Sequence, residues 1–387
     1  MKAVANKFPN DLDAQTLYAE ALMNLNAWKL WTLDGKPAPG TTEILATLES
    51  VLKRDPWHPG ANHYYIHAVE ASPDPARGLA AAQRLRGMMP AAGHLEHMPA
   101  HIMQRVGRYE EAAEANRKGV AADLAYLAKT KPLDYYVLVY TAHNYQFLAF
   151  SAAMEGRSEE ALKAARGARE FVNDELMAMM PGTDWPMSEA YSVMVRFGRW
   201  DEMIAEPPPN PSFKALTGGY LYAKATALAA KGRVAEAKRT VDDLEKLAGE
   251  LSAEAAAGFN TAKDVLAVGV LIAKARIASA ESESEEAINM LRQAVAKEDQ
   301  LAYSEPADWF FPVRHLLGAE LLKAGHANEA EAVYRADLKR HPANGWALAG
   351  LSAALEAGKK SGEAAKAKEQ MESAWKNADV KLVSSAF

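Results

Sequence analysis

The chain has 387 residues, is 49% apolar and 24% charged, and carries a net charge of −6, the make-up of a globular protein long enough for two or three domains. It contains no cysteine, which excludes disulfides and thiolate ligands, so any metal here needs His, Asp or Glu. No run of 18 apolar residues marks a membrane span, and no Lys/Arg block marks a nucleic-acid surface.

The start, MKAVANKFPNDLDA, lacks an apolar core for a signal peptide, so the expected compartment is the cytoplasm, or the periplasm if the start is truncated. A degenerate helical unit is expected over about 12–56. The stretch from His58 to Ala112 follows and holds six of the ten histidines. A glycine-led signature then recurs: VGRYEEAAEANRKGV with Gly107, Tyr109 and Ala112; EGRSEEALKAARGA with Gly156 and Ala161; FGRWDEMI with Gly198 and Trp200; KGRVAEAKRTV with Gly232 and Ala237. SESEEAINMLRQAV keeps Ala287 without the glycine. The last full copy, FPVRHLLGAELLKAGHANEAEAVYRADLKRHP, has Gly318, Gly325, Ala330, Tyr334 and Pro342. Small residues let two short helices approach, the glycine breaks between them, and the proline follows where a helix cannot continue. Repeat starts fall near 59, 93, 142, 184, 218, 268 and 311, with insertions at 127–141 and 205–217. The second insertion is a place where the stack is expected to bend. No alternating β pattern occurs.

These features resemble the tetratricopeptide repeat (TPR), a helix–turn–helix unit of about 34 residues. The resemblance implies an all-α fold, an α-solenoid of stacked helix pairs with about eight units. It divides the chain into a degenerate N-terminal repeat (1–57), His-rich repeats (58–204), C-terminal repeats (205–344) and capping helices (345–387). The segments HPGANHYYIHAVEAS, GHLEHMPAHI and EPADWFFPVRHLLG are similar to those of a family of bacterial TPR proteins whose members begin with a further TPR-like unit. On that likeness this chain is a short or truncated member.

In such arrays, repeat positions 2, 5, 9, 12 and 13 line the concave groove. Counted from 59, His63 and His67 take positions 5 and 9, and Glu70 takes position 12. Counted from 93, His94, His97 and His101 take 2, 5 and 9. His143 takes position 2 of the next repeat, and His315 position 5 of the last. The register comes from the Gly, Ala and Pro anchors, so the coincidence with histidine is informative. His63/His67 and His97/His101 are i,i+4 pairs, which sit on one face of a helix and can grip one ion. Pro99 interrupts the second pair and is expected to kink or restart the helix.

The expected ligands of a divalent transition metal are His63, His67, His97 and His101, with His94 and His143 close behind. An all-nitrogen set suits Zn, Cu, Ni or Fe rather than Ca or Mg. Glu70 is a further ligand or a general base, and Asn62, Asn144 and Glu96 are expected to orient the rings. Tyr64, Tyr65, Tyr135, Tyr136, Tyr140 and Tyr145 read first as core and otherwise as pocket wall. Tyr64, Asn62, Asn144 and His315 are the candidate groove residues. Arg105, Arg108 and Arg314 read as solvated charges or anion partners, Met98 and Met103 as core, and Asp308 as the N-cap of the helix that follows.

No nucleotide-cofactor motif or nucleophile elbow is present. Two readings remain open. One is a metal-binding groove, with or without catalysis on a small molecule. The other is a non-catalytic TPR scaffold for a peptide or protein.

Overall fold

The computed structural model describes residues 1–130 and 136–387. The expectation for Tyr135 lies outside the described residues. The fold is all-α and built of TPR-like helix pairs, the repeat architecture of an α-solenoid. Among the described residues the sole ladder is a two-residue antiparallel pair, Ala256–Ala257 with Asn260–Thr261. Two compact units are present, Met1–Phe147 and Leu148–Phe387.

The first unit contains α1 (Lys2–Lys7), α2 (Leu12–Met23), α3 (Thr41–Arg54), α4 (Pro59–Glu70), α5 (Leu79–Leu85), α6 (Gly93–His97), α7 (Pro99–Arg105) and α8 (Tyr109–Thr130). It also takes the first residues of α9 (Ala142–Met154). Helix α4 starts where proline is best tolerated. His58 is its N-cap, its Nδ1 accepts from the Ala61 N–H at 3.2 Å, and Pro59 follows in the first turn. Ile44, Leu48, Ile66, Leu85, Met98, Ile102, Met103 and Phe147 are fully enclosed in its core. Each such side chain contributes about 1.5–3 kcal/mol by leaving water. Met98 and Met103 are thus core filling.

The second unit continues with Ser158–Phe171, Glu189–Arg196 and Trp200–Ala205, then the pairs Lys214–Ala230/Val234–Glu250, Ala262–Ala280/Ser284–Glu298, Val313–Lys323/Ala327–Arg340 and Gly345–Ala357/Ser361–Ala374. The glycine-led signatures fall on the turns between paired helices. Gly107, Gly156, Gly198, Gly232 and Gly325 all have φ between 65° and 86°, a region that costs other residues roughly 1–2 kcal/mol. In the copy without glycine, Ser282 adopts the same conformation, φ 68°. The sequence EPPPNPS lies between Trp200–Ala205 and Lys214–Ala230.

The expected cap at Asp308 is not formed. Its carboxylate accepts from Phe259 N–H (3.0 Å), Asn260 Nδ2 (2.7 Å) and Ser304 Oγ (3.1 Å), so it fastens the small ladder instead. Helix Val313–Lys323 has Pro312 as N-cap, and the Glu298 carboxylate takes the Val313 N–H at 3.1 Å.

Candidate metal centre

Six imidazoles gather in the first unit. His63 and His67 come from α4, His94 and His97 from α6, His101 from α7 and His143 from α9. Ring centroids of neighbours lie close together: His63–His67 5.0 Å, His63–His94 5.0 Å, His67–His101 5.0 Å, His97–His101 4.6 Å and His97–His143 4.9 Å. His97 and His101 are 0% exposed, and the other four are half-buried. The cluster therefore has a closed floor and an open side. Phe147 covers the floor, 4.7 Å from His97 and 4.5 Å from His101. At the open side Tyr64 lies 4.7 Å from His63, Tyr140 4.7 Å from His94, and the exposed Trp28 5.7 Å from His67.

Pro99 does not separate the second i,i+4 pair. Met98 keeps helical dihedrals (φ −48°, ψ −37°) between α6 and α7, and His101 N–H reaches back to Met98 O at 3.2 Å. The proline takes the first turn of α7, where its missing donor costs little. His97 and His101 consequently face each other with Nε2 atoms 2.7 Å apart.

The outer nitrogens are tied down. Glu70 accepts from His67 Nδ1 at 2.9 Å through one oxygen and from His101 Nδ1 at 2.5 Å through the other. Asn116 Oδ1 accepts from His97 Nδ1 at 2.7 Å, and its orientation is fixed because Nδ2 donates to Ala112 O at 2.7 Å. With Nδ1 protonated in these three rings, the lone pair of each sits on Nε2. His63 Nε2 also lies 3.0 Å from His94 Nε2.

Electrostatics favour the neutral form of four of the rings. Burial, reinforced by the neighbouring imidazoles, holds His63, His97 and His143 well below the ordinary histidine range and brings His94 down to about 2. Neutral rings are the form that ligates a metal.

The structure brings together all six expected histidines, with Glu70 between them and Tyr64 at the rim. Three expectations about orienting residues are corrected. Asn62 is buried but donates to Pro56 O and His58 O, both at 2.9 Å, and so secures the start of α4. Asn144 Nδ2 donates to Asp123 Oδ2 at 2.7 Å. Glu96 is buried and, among the described residues, bonds no imidazole. As a candidate groove residue, His315 belongs to the second unit. It is fully enclosed between Arg196 and Asp337. Of the arginines, Arg105 Nε donates to Glu70 O at 2.9 Å, Arg108 pairs with Glu111, and Arg314 pairs bidentately with Asp299.

Sequence reasoning missed Asn116, Asp123 and Phe147. Asn116 and Asp123 fall on the buried stripe Ala112–Asn116–Gly119–Asp123 of α8. A polar residue on a small-residue stripe needs a partner, and that was the available signal. Asp123 also accepts from Tyr136 Oη at 2.6 Å. The approach of α6 to α8 depends on glycine at both sides. A Cβ at Gly119 would meet Gly93 O at 2.9 Å and the His97 Cβ at 3.1 Å. Gly119→Ala is therefore expected to destabilise the protein. Crowding of about 1–3 kcal/mol outweighs a helix-propensity gain of at most about 1 kcal/mol. A urea midpoint equal to or above wild type contradicts this.

No family model matches the chain, and no curated protein matches its sequence. Similar solved structures include the human IFIT1 dimer with m7Gppp-AAAA (12% identity over 95% of this chain and 75% of that one, TM-score 0.40). The human IFIT1 dimer with PPP-AAAA is comparable (13%, 95% and 76%, TM-score 0.39). The P58(IPK) TPR domain covers 91% of this chain and 99% of its own at 12% identity, with TM-score 0.27. Likeness at this level carries no argument, and the repeat architecture rests on the helix pairs themselves.

Proposed function

We propose that the protein binds a transition metal, drawn from Zn, Cu, Ni and Fe, in the histidine centre of its first unit. One observation carries the reading. His97 and His101 hold Nε2 atoms 2.7 Å apart, while Asn116 and Glu70 take up both Nδ1 protons. Two lone pairs facing each other at that distance repel unless a cation lies between or beside them. A proton there would place an imidazolium in a fully enclosed site, which burial opposes. A metal is held by several donors at once, with the Glu70 carboxylate beside it. Zn–N bonds of about 2.0–2.1 Å in a tetrahedron require a nitrogen separation of about 3.3 Å, a small opening of this pair.

In this reading Glu70 is an orienting carboxylate, because both of its oxygens already hold imidazoles. Three nitrogens leave a fourth coordination position open toward the half-buried side, where a small molecule can reach the metal. That is the form of a catalytic rather than a closed structural site.

The test is metal content of tag-free protein by mass spectrometry, with thermal melting before and after chelation. The expected result is retained metal that a His63→Ala/His67→Ala variant binds less of, and a raised melting temperature on reloading. At a thousandfold excess over Kd, binding adds about 4 kcal/mol. No retained metal and no shift on reloading overturns the reading in favour of a peptide-binding scaffold.

A further inference from the structure

Resting on that reading, we infer that the centre is dinuclear, with one ion on His63, His67 and His94 and a second on His97, His101 and His143. The six imidazoles fall into two disjoint trios. Within each trio one donor atom from every residue lies within 4.8 Å of the others. Each trio already contains one close Nε2 pair, His63/His94 at 3.0 Å and His97/His101 at 2.7 Å. Six imidazoles cannot all bond one ion that takes four ligands at about 2 Å. An ion seated centrally among His67, Glu70 and His101, whose donor atoms also lie within 4.8 Å, uses only two of the six rings. Two ions use every ring.

Glu70 is placed for a two-ion site. One carboxylate oxygen holds a ring of the first trio, His67, and the other a ring of the second, His101. A single side chain thus sets both rings with Nε2 turned inward. His67 and His101 are adjacent, with ring centroids 5.0 Å apart, so the two ions are neighbours, as in two-metal sites generally.

The two positions differ in access. The rings of the first trio are all half-buried, whereas His97 and His101 of the second are fully enclosed against Phe147. The first ion is expected to exchange with solvent, and the second to be retained longer under a chelator. The arrangement suits a small ligand that bridges two ions, entering past Tyr64 and Tyr140.

The experiment loads the full apo chain with Zn(II) and, separately, with Cu(II), then removes excess metal by gel filtration. About two Zn per chain are expected in wild type. About one is expected in His63→Ala/His94→Ala and about one in His97→Ala/His143→Ala. A competing chelator is expected to remove zinc in two phases. With Cu(II), the integrated EPR signal of wild type is expected to fall below its copper content through coupling of the pair, and each variant is expected to give a full, uncoupled signal. One Zn per wild-type chain with an uncoupled Cu(II) signal overturns the dinuclear centre while leaving metal binding intact. No metal in wild type overturns both. If a variant fails to fold, the wild-type stoichiometry and coupling decide alone.

Discussion

Replacing Glu70 with alanine is expected to weaken metal binding by at least 10–100-fold while every imidazole remains in place. Loss of one outer partner of a metal-bound histidine costs that much, and Glu70 serves two rings, His67 at 2.9 Å and His101 at 2.5 Å. Without the carboxylate, neither Nδ1–H has its acceptor. The rings can then change tautomer and rotate, and Nε2 no longer has to carry the lone pair. The apo protein should suffer as well, because a buried donor left unpaired costs about 1–3 kcal/mol, and His101 has no exposure through which water could compensate. Glu70→Gln separates the two effects. Its amide oxygen can keep one ring, while its NH₂ group faces the other as a second donor. Competition against a chromophoric chelator should therefore rank wild type above Gln above Ala. Equal affinities across the three would remove Glu70 from the centre and leave the imidazoles without a common anchor.

How far the sequence reads the fold depends on which physical signal each feature leaves. The helix pairs are legible because their turns need a left-handed residue, and glycine supplies it at Gly107, Gly198, Gly232 and Gly325. That register also puts six of the histidines on helices that lie close together, though not His315. Expected repeat starts near 59, 93 and 142 fall on helices that begin at Pro59, Gly93 and Ala142, so position along the repeat translates into a shared face. Partners of those histidines are not legible in the same way. Asn62 and Asn144 sit beside histidines in sequence, yet neighbours on a helix point in different directions. The residue that holds His97 is Asn116, on the other helix of the pair and 19 positions away. Pro99 restarts the helix, one of the two outcomes expected of it, and the sequence alone does not say that Met98 stays helical and keeps the pair on one face. The backbone places it in the first turn of α7. His315 shares a repeat position with His63 and His97, but a position recurs in every repeat and does not bring distant copies together.

Asp337→Ala is expected to cost the protein about 3–5 kcal/mol, the range for removing one partner of a buried ion pair. In the second unit this carboxylate is fully enclosed and serves three donors: His315 Nε2 at 2.8 Å, His341 Nδ1 at 3.1 Å and Asn344 Nδ2 at 3.0 Å. His315 Nδ1 in turn accepts from Arg196 Nη2 at 2.7 Å. The ring thus relays a neutral link between a guanidinium and a carboxylate, both buried. Burial is the main cause that brings His315 down to about 4. Asp337 pulls the other way, and Arg196 adds to the burial effect. Arg196 itself falls only to about 9 through burial and stays charged at neutral pH. Removing Asp337 leaves that charge inside without its counter-ion. The sign of the pH dependence follows from the depressed histidine. Stability from the neutral ring is present above the unfolded value of about 6.5 and is lost as pH falls toward about 4, a change of roughly 3 kcal/mol. Urea unfolding of wild type and Asp337→Ala at pH 7 measures the first effect, and a difference below about 1 kcal/mol would show that the network is dispensable. The His315 imidazole resonance, assigned by its absence in His315→Gln, reads the second. It is expected not to titrate between pH 5 and 8, and a midpoint near 6.5 would mean that water reaches the ring and that Arg196 is balanced by some other group.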